Sequence, residues 1–257
     1  MENIDGTFVM DDISIKMLSD ETYHADILIE GLPGVGQVGK LVAEHMIEEL
    51  GAVKIAEITS IFFPPQVIID ENGVTRLTRN EVYVVNKDDR SIAFLTGDVQ
   101  SGSAEGHYLL ADAYLDIAES LGVKQIYALG GYGTGHLQEE IQVFGAVNAP
   151  ELKESAENAG VVFSTDEPGG GIFGASGLIL AFGAERGMEG MCLMGETSGY
   201  IVDPKSAHAV LRVLSSLIGL DIDATKLEER ATEMEAIVEK IREHESAKAA
   251  EQLNYIG

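Results

Sequence analysis

Short apolar runs that end on glycine, then give way to apolar positions spaced by three and four, recur along this chain. That alternation restricts the fold more than any other feature. Asp26–Glu30 ends at Gly31, and Val38, Leu41, Val42, His45, Met46 and Leu50 follow at helical spacing. Ser91–Thr96 leads through Gly97-Asp98 to a helix over 103–121, with Ser103 as its N-cap. Gln125–Leu129 runs into the glycine-rich loop Gly130-Gly131-Tyr132-Gly133-Thr134-Gly135. Further on, Val161–Ser164 is a strand, and Gly169-Gly170-Gly171 opens a helix over roughly 172–184 that is apolar on all sides and therefore buried. Gly190–Met194 is another strand, and Asp203-Pro204 starts a helix through Leu217. Strands that lack polar alternation, interleaved with helices, predict an α/β fold with a mostly parallel sheet covered by helices on both faces.

Around this frame, Ile13–Met17 reads as an edge strand, and Val53–Phe63 as a strand stopped by Pro64-Pro65. Gln66–Ile69 and Val82–Val85, separated by turn residues including Asn72-Gly73, read as an inserted antiparallel hairpin. Gln142–Val147 is a short run, and a helix starts from Pro150. With no internal repeat or linker before residue 220, the expectation is one α/β domain over 1–221. A projecting C-terminal helix and tail would occupy 222–257.

Charge narrows the choice of partner. Forty-three acidic residues against 17 basic ones leave a formal charge of −26, and no Lys/Arg cluster interrupts it. Phosphate backbones and anionic membrane surfaces require such clusters, so neither nucleic acid nor membrane is an expected partner. Absent Trp and 6 % aromatics also suit base-stacking readers poorly. Cys192 is the one cysteine, which excludes an intrachain disulfide and any multi-cysteine metal site. Its apolar setting, Met191-Cys192-Leu193-Met194, predicts a buried structural thiol. The acidic start of the chain lacks a signal pattern, and no run approaches the ~20 apolar residues of a membrane span. A cytoplasmic protein is expected.

Gly34-Val35-Gly36-Gln37-Val38-Gly39 satisfies the dinucleotide fingerprint after a strand and before a helix, with Glu57 near the position of a ribose ligand. Gly39-Lys40 also ends most of a phosphate-cradling loop, but Leu41 stands where Ser or Thr would hold magnesium. Pro33 removes an amide donor beside the turn, and Glu30 adds negative charge there. The plainer reading is a tight turn whose glycines let helix and strand approach closely. No cofactor is expected.

Histidines are scattered, and none pairs at the four-residue spacing of a helical metal site. Asp98, His107 and His136 follow strand ends, where open α/β sheets hold ligands, so an acid–base pocket from these three is conceivable. Against it, Asp98 precedes the capping sequence Ser101-Gly102-Ser103. From Thr225 onward, Leu227, Ala231, Met234, Val238 and Ile241 form a narrow helical seam, capped by Asp223 or Thr225. After a polar spacer, Leu253-Asn254-Tyr255-Ile256-Gly257 restores apolar character and reads as a docking peptide.

Glu30-Gly31-Leu32-Pro33-Gly34-Val35-Gly36-Gln37-Val38-Gly39, Thr96-Gly97-Asp98-Val99-Gln100 and Gly130-Gly131-Tyr132 together resemble the signatures of archaeal proteasome assembly chaperones. Most specific are Gly195-Glu196-Thr197-Ser198-Gly199-Tyr200 and Asp203-Pro204-Lys205-Ser206-Ala207. The resemblance covers about 25–220. It implies a fold similar to purine nucleoside phosphorylases with the nucleoside chemistry lost, and a homo-oligomer that contacts 20S proteasome α subunits during core-particle assembly. It marks Gly34, Gly36, Gly39, Asp98, Gly131, Glu196 and Tyr200 as structural or ligand-loop positions, with no catalytic residue and no metal. Activator-like members end in a hydrophobic–tyrosine–any tripeptide whose carboxylate pairs with a pocket lysine. Here Leu253, Tyr255, Ile256 and Gly257 would make the contact, with Tyr255 third from the end instead of second. That offset moves the carboxylate by about 3.4 Å. The alternative is a protein or enzyme that binds a nucleoside, nucleotide or phosphate through Gly34–Gly39.

Overall fold

Ile27–Glu30 (β2) is buried at every position, because it lies at the centre of the sheet with helices on both sides. The computed structural model describes residues 11–163, 171–234 and Ala236. Within them the strands are β1 (Ile13–Met17), β3 (Val53–Ser60), β4 (Val67–Ile69), β5 (Thr75–Leu77), β6 (Asn80–Lys87) and β7 (Arg90–Gly97). β8 (Gln125–Gly133), β9 (Val143–Val147), β10 (Val161–Val162) and β11 (Glu189–Thr197) follow. The helices are α1 (Val38–Leu50), α2 (Ala104–Leu121), α3 (Leu152–Asn158), α4 (Ala175–Glu185) and α5 (Pro204–Ile218). Nine strands form one sheet in the order β1-β3-β6-β7-β2-β8-β11-β9-β10. The centre, β7-β2-β8-β11, is parallel, as the apolar strands predict. The flank β1-β3-β6-β7 is antiparallel, as is the β9–β11 pairing.

Alternation along β2 divides the core. Leu28 points into the layer filled by Leu110 and Leu115 of α2 and Ile179 of α4. Ile27 and Ile29 meet Val42 and Met46 of α1 and Val210 and Leu214 of α5. Ser103 caps α2 by accepting from the Gly106 amide at 3.1 Å, and Asp203 caps α5 by accepting from Ser206 N at 3.0 Å. Cys192 is buried in β11, and burial pushes its thiol pKa up.

Three expectations are corrected. Gln66–Ile69 does not pair with Val82–Val85: β4 pairs with Thr75–Leu77, closed by the Asp70 side chain, which accepts from Asn72 N and Val74 N at 2.9 Å. Val82–Val85 enters the main sheet as part of β6, where Val82 and Val84 reach the core. The glycine-rich segment after Leu129 is not a loop at its start, since β8 continues to Gly133 alongside β11. α4 begins only at Ala175, and Ala181 and Ala184 on its outer side are exposed.

Residues 225–234 are helical, with Thr225 N donating to Asp223 Oδ1 at 2.9 Å. Leu227 is buried among the α1–α5 layer, and Lys226 binds Glu48 and Glu49 of α1 at 2.8 and 2.7 Å. Val238, Ile241 and the segment Leu253, Tyr255, Ile256 and Gly257 lie outside the described residues.

Candidate functional site

After β2 the chain turns to α1 on one face of the sheet, and after β7 it turns to α2 on the other. The carboxyl ends of these neighbours are therefore the place where an open α/β sheet holds a ligand. Gly34 and Gly36 lie in the turn after β2, Gly39 in the first turn of α1, Asp98 follows β7, Gly131 is in β8, and Glu196 and Tyr200 flank the end of β11.

Packing fills this crevice. Val35–Gln37 forms a single turn of 3-10 helix in which Gly36 has φ 63°. A Cβ on Gly36 would stand 2.7 Å from the Thr197 hydroxyl. One on Gly39 would overlap the Leu129 carbonyl of β8, and one on Gly131 the Val35 carbonyl. Helix, strand and turn thus meet at backbone distance. Gln37 N donates to Gly34 O at 3.0 Å, and Gly36 O accepts from Asp203 N at 2.9 Å. Gln100 closes the other side, donating to Pro33 O at 2.8 Å and accepting from Ala175 N at 3.0 Å. Gly34 differs: its backbone is extended, and a Cβ there would meet nothing nearer than 3.9 Å.

The charged candidates are engaged in holding structure. Lys40 donates to the Gly97 carbonyl at 2.8 Å, tying α1 to the end of β7. Glu57 lies on β3 between Lys54 and Arg79, each at 2.9 Å. Asp98 receives Arg76 at 2.5 and 2.9 Å and the Arg79 amide at 3.0 Å. Burial alone would raise the Asp98 pKa; the hydrogen bonds from Arg76 and Arg79 outweigh it and hold the carboxyl below its ordinary value. Asp98 takes Arg76 and the Arg79 amide, and neither His107 nor His136, as its hydrogen-bond partners. His107 stands in the first turn of α2, shifted toward its neutral form by burial, while His136 is in the exposed segment beyond β8. Glu196 fastens β11 to the approach to β9, its carboxylate accepting from Gln142 N at 3.0 Å. Tyr200 stands 82 % exposed.

Sequence reasoning missed Arg76, whose role depends on a partner 22 residues away. It also missed the state of Glu30. That carboxyl is wholly buried, and burial pushes its pKa up to about 7 against hydrogen bonds from Leu32 N at 3.0 Å and Ser176 Oγ at 2.7 Å. A glutamate closing an apolar run is a faint signal of this. Among the described residues no group of three or more His, Cys, Asp or Glu side chains is placed to hold a metal ion, and no helix is long and apolar enough to cross a membrane.

The PAC2 family profile matches residues 28–242. MJ1210, an uncharacterised protein of Methanocaldococcus jannaschii, is 40 % identical over 97 % of this chain and 99 % of its own length. The crystal structure of Pyrococcus furiosus PbaB, described as an archaeal proteasome activator, superposes with a TM-score of 0.86 at 41 % identity, covering 91 % of this chain and all of that one. PbaA of the same organism, described as an archaeal homolog of proteasome-assembly chaperone, gives a TM-score of 0.73 at 26 % identity over 94 % and 97 % of the two chains. With a family match over most of its length and close relatives across nearly all of it, the chain belongs to the PAC2 family.

Proposed function

We propose that this chain is a non-catalytic, oligomeric chaperone or scaffold of the cytoplasm that binds 20S proteasome α subunits and assists core-particle assembly. The observation that carries this reading is the 41 % identity to the proteasome activator PbaB over that protein's whole length. The local chemistry supports it. Where a nucleotide would sit, glycines bring backbone against backbone, and Lys40, Glu57 and Asp98 are each held by a partner. What remains to offer a partner is surface, together with the terminal residues Leu253, Tyr255, Ile256 and Gly257. Reconstitution of the core particle from separate α and β subunits tests the role: added chain raises the rate or yield of assembly. An unchanged time course at saturating chain would contradict it.

A further inference from the structure

Asn72-Gly73 stands at the tip of the β4–β5 hairpin and is the one place in this chain where asparagine precedes glycine. Residues 69–75 are all exposed. Among the described residues no hydrogen bond engages the Asn72 carboxamide. Asn80, by contrast, bonds the Tyr114 hydroxyl, and Asn148 bonds the carbonyls of Leu180 and Met188. Glycine has no Cβ to hinder its amide nitrogen, and a Cβ built on Gly73 would meet nothing within 4 Å. An unengaged carboxamide therefore lies beside an unhindered backbone nitrogen.

We propose that Asn72 is a site of spontaneous deamidation whose rate Asp70 restrains. The Gly73 nitrogen gives up its proton and attacks Cγ of Asn72. A C–N bond forms to close a succinimide ring, the C–NH2 bond breaks, and the amide leaves with the proton as ammonia. Water then opens the ring at either carbonyl, leaving aspartate or, where the main chain now runs through the side chain, iso-aspartate. In the folded hairpin the nucleophile is held back. Gly73 N donates to Asp70 O at 3.0 Å, and Asp70 Oδ1 accepts from Asn72 N and Val74 N at 2.9 Å. The nitrogen must leave this turn before it can swing onto Cγ, so the rate scales with the population of opened turn. The Asp70 charge also opposes loss of the amide proton beside it. Either product adds negative charge to a chain of −26. Iso-aspartate also lengthens the main chain at the turn that sets Val67 against Leu77 and Ile69 against Thr75. Arg76 lies on that strand, so conversion loosens its hold on Asp98. None of this depends on a proteasome partner.

Prolonged warm incubation of the full chain at mildly alkaline pH, below its melting temperature, tests the assignment. Digestion and mass spectrometry then measure aspartate and iso-aspartate at position 72. Wild type converts slowly when folded and about tenfold faster in denaturant. Folded Asp70→Ala converts about tenfold faster than folded wild type, while Asp70→Asn, which keeps the side-chain acceptor, retains most of the restraint. In denaturant, where the turn no longer matters, Gly73→Ala converts about tenfold slower than wild type. Wild type that stays unconverted in denaturant, or a Gly73→Ala chain that matches it there, would overturn the deamidation chemistry. Folded Asp70→Ala at the wild-type rate would overturn the restraint. Hydrogen exchange at 75–77 quickens in the converted chain, and unchanged exchange would overturn the link to Arg76.

Discussion

Arg76 forks onto Asp98, its two terminal nitrogens 2.5 and 2.9 Å from the two carboxylate oxygens. The pair joins the β4–β5 hairpin to the end of the central strand β7. An aspartate that the sequence offers as a candidate acid–base group is therefore a fastening.

Asp98→Ala is expected to lower stability by about 1–2 kcal/mol, the range of a charge-assisted hydrogen bond discounted because Arg76 is partly open to solvent. The melting temperature should fall by roughly 2–8 °C, and hydrogen exchange should quicken first at 75–77. Since the folded carboxyl titrates below its unfolded value, the contribution is present above the unfolded pKa. It is lost as pH falls through the lower, folded one. Arg76→Ala should shrink that acid-side loss, since it removes the largest of the interactions that hold the carboxyl low and leaves the Arg79 amide.

Glu30 has the opposite sign. Its folded pKa of about 7 lies above the unfolded value of 4.5, so the folded state holds the proton more tightly. Stability from this group is complete below pH 4.5 and declines as pH rises to about 7, by roughly 3 kcal/mol in all. Glu30→Gln should flatten that decline and make the chain more stable than wild type at pH 8. Denaturant titrations from pH 5 to 8 measure it, and parallel curves for the two proteins would exclude it.

The glycine turn yields a contrast. Gly39→Ala and Gly131→Ala each drive a methyl group into a backbone carbonyl and should destabilise by ~3 kcal/mol or more. Gly34→Ala, on extended backbone with open space, should change stability by no more than ~0.5 kcal/mol. A phosphate-cradling loop over Gly34–Gly39 would require Gly34 as well as Gly39. Thermal unfolding of the three variants, with and without a nucleotide panel, distinguishes packing from binding. Saturable stabilisation by any nucleotide would argue for a ligand site.

Much of this was legible in the residues, for local reasons. The helices α1, α2 and α5 announce themselves by periodic apolar positions, with caps at Ser103 and Asp203 that need only neighbours in sequence. The central strands show as unbroken apolar runs because both faces are covered. β5 did not show: Thr75-Arg76-Leu77 has one large apolar residue, and its place depends on β4 and on Asp98. Gly130 and Gly131 looked like a loop because their strand conformation comes from pairing with Met194 and Gly195. His107 and His136 were drawn toward Asp98 by their positions after strands, yet the carboxylate had already been claimed by an arginine across the hairpin.

The most direct measurement is co-purification of proteasome α subunits with the tagged full chain and with a version lacking Leu253–Gly257. The account predicts stoichiometric α subunit with the full chain and a marked loss on truncation, with both proteins equally folded. Absence of α subunits from both, under conditions where the chain is intact, would contradict it.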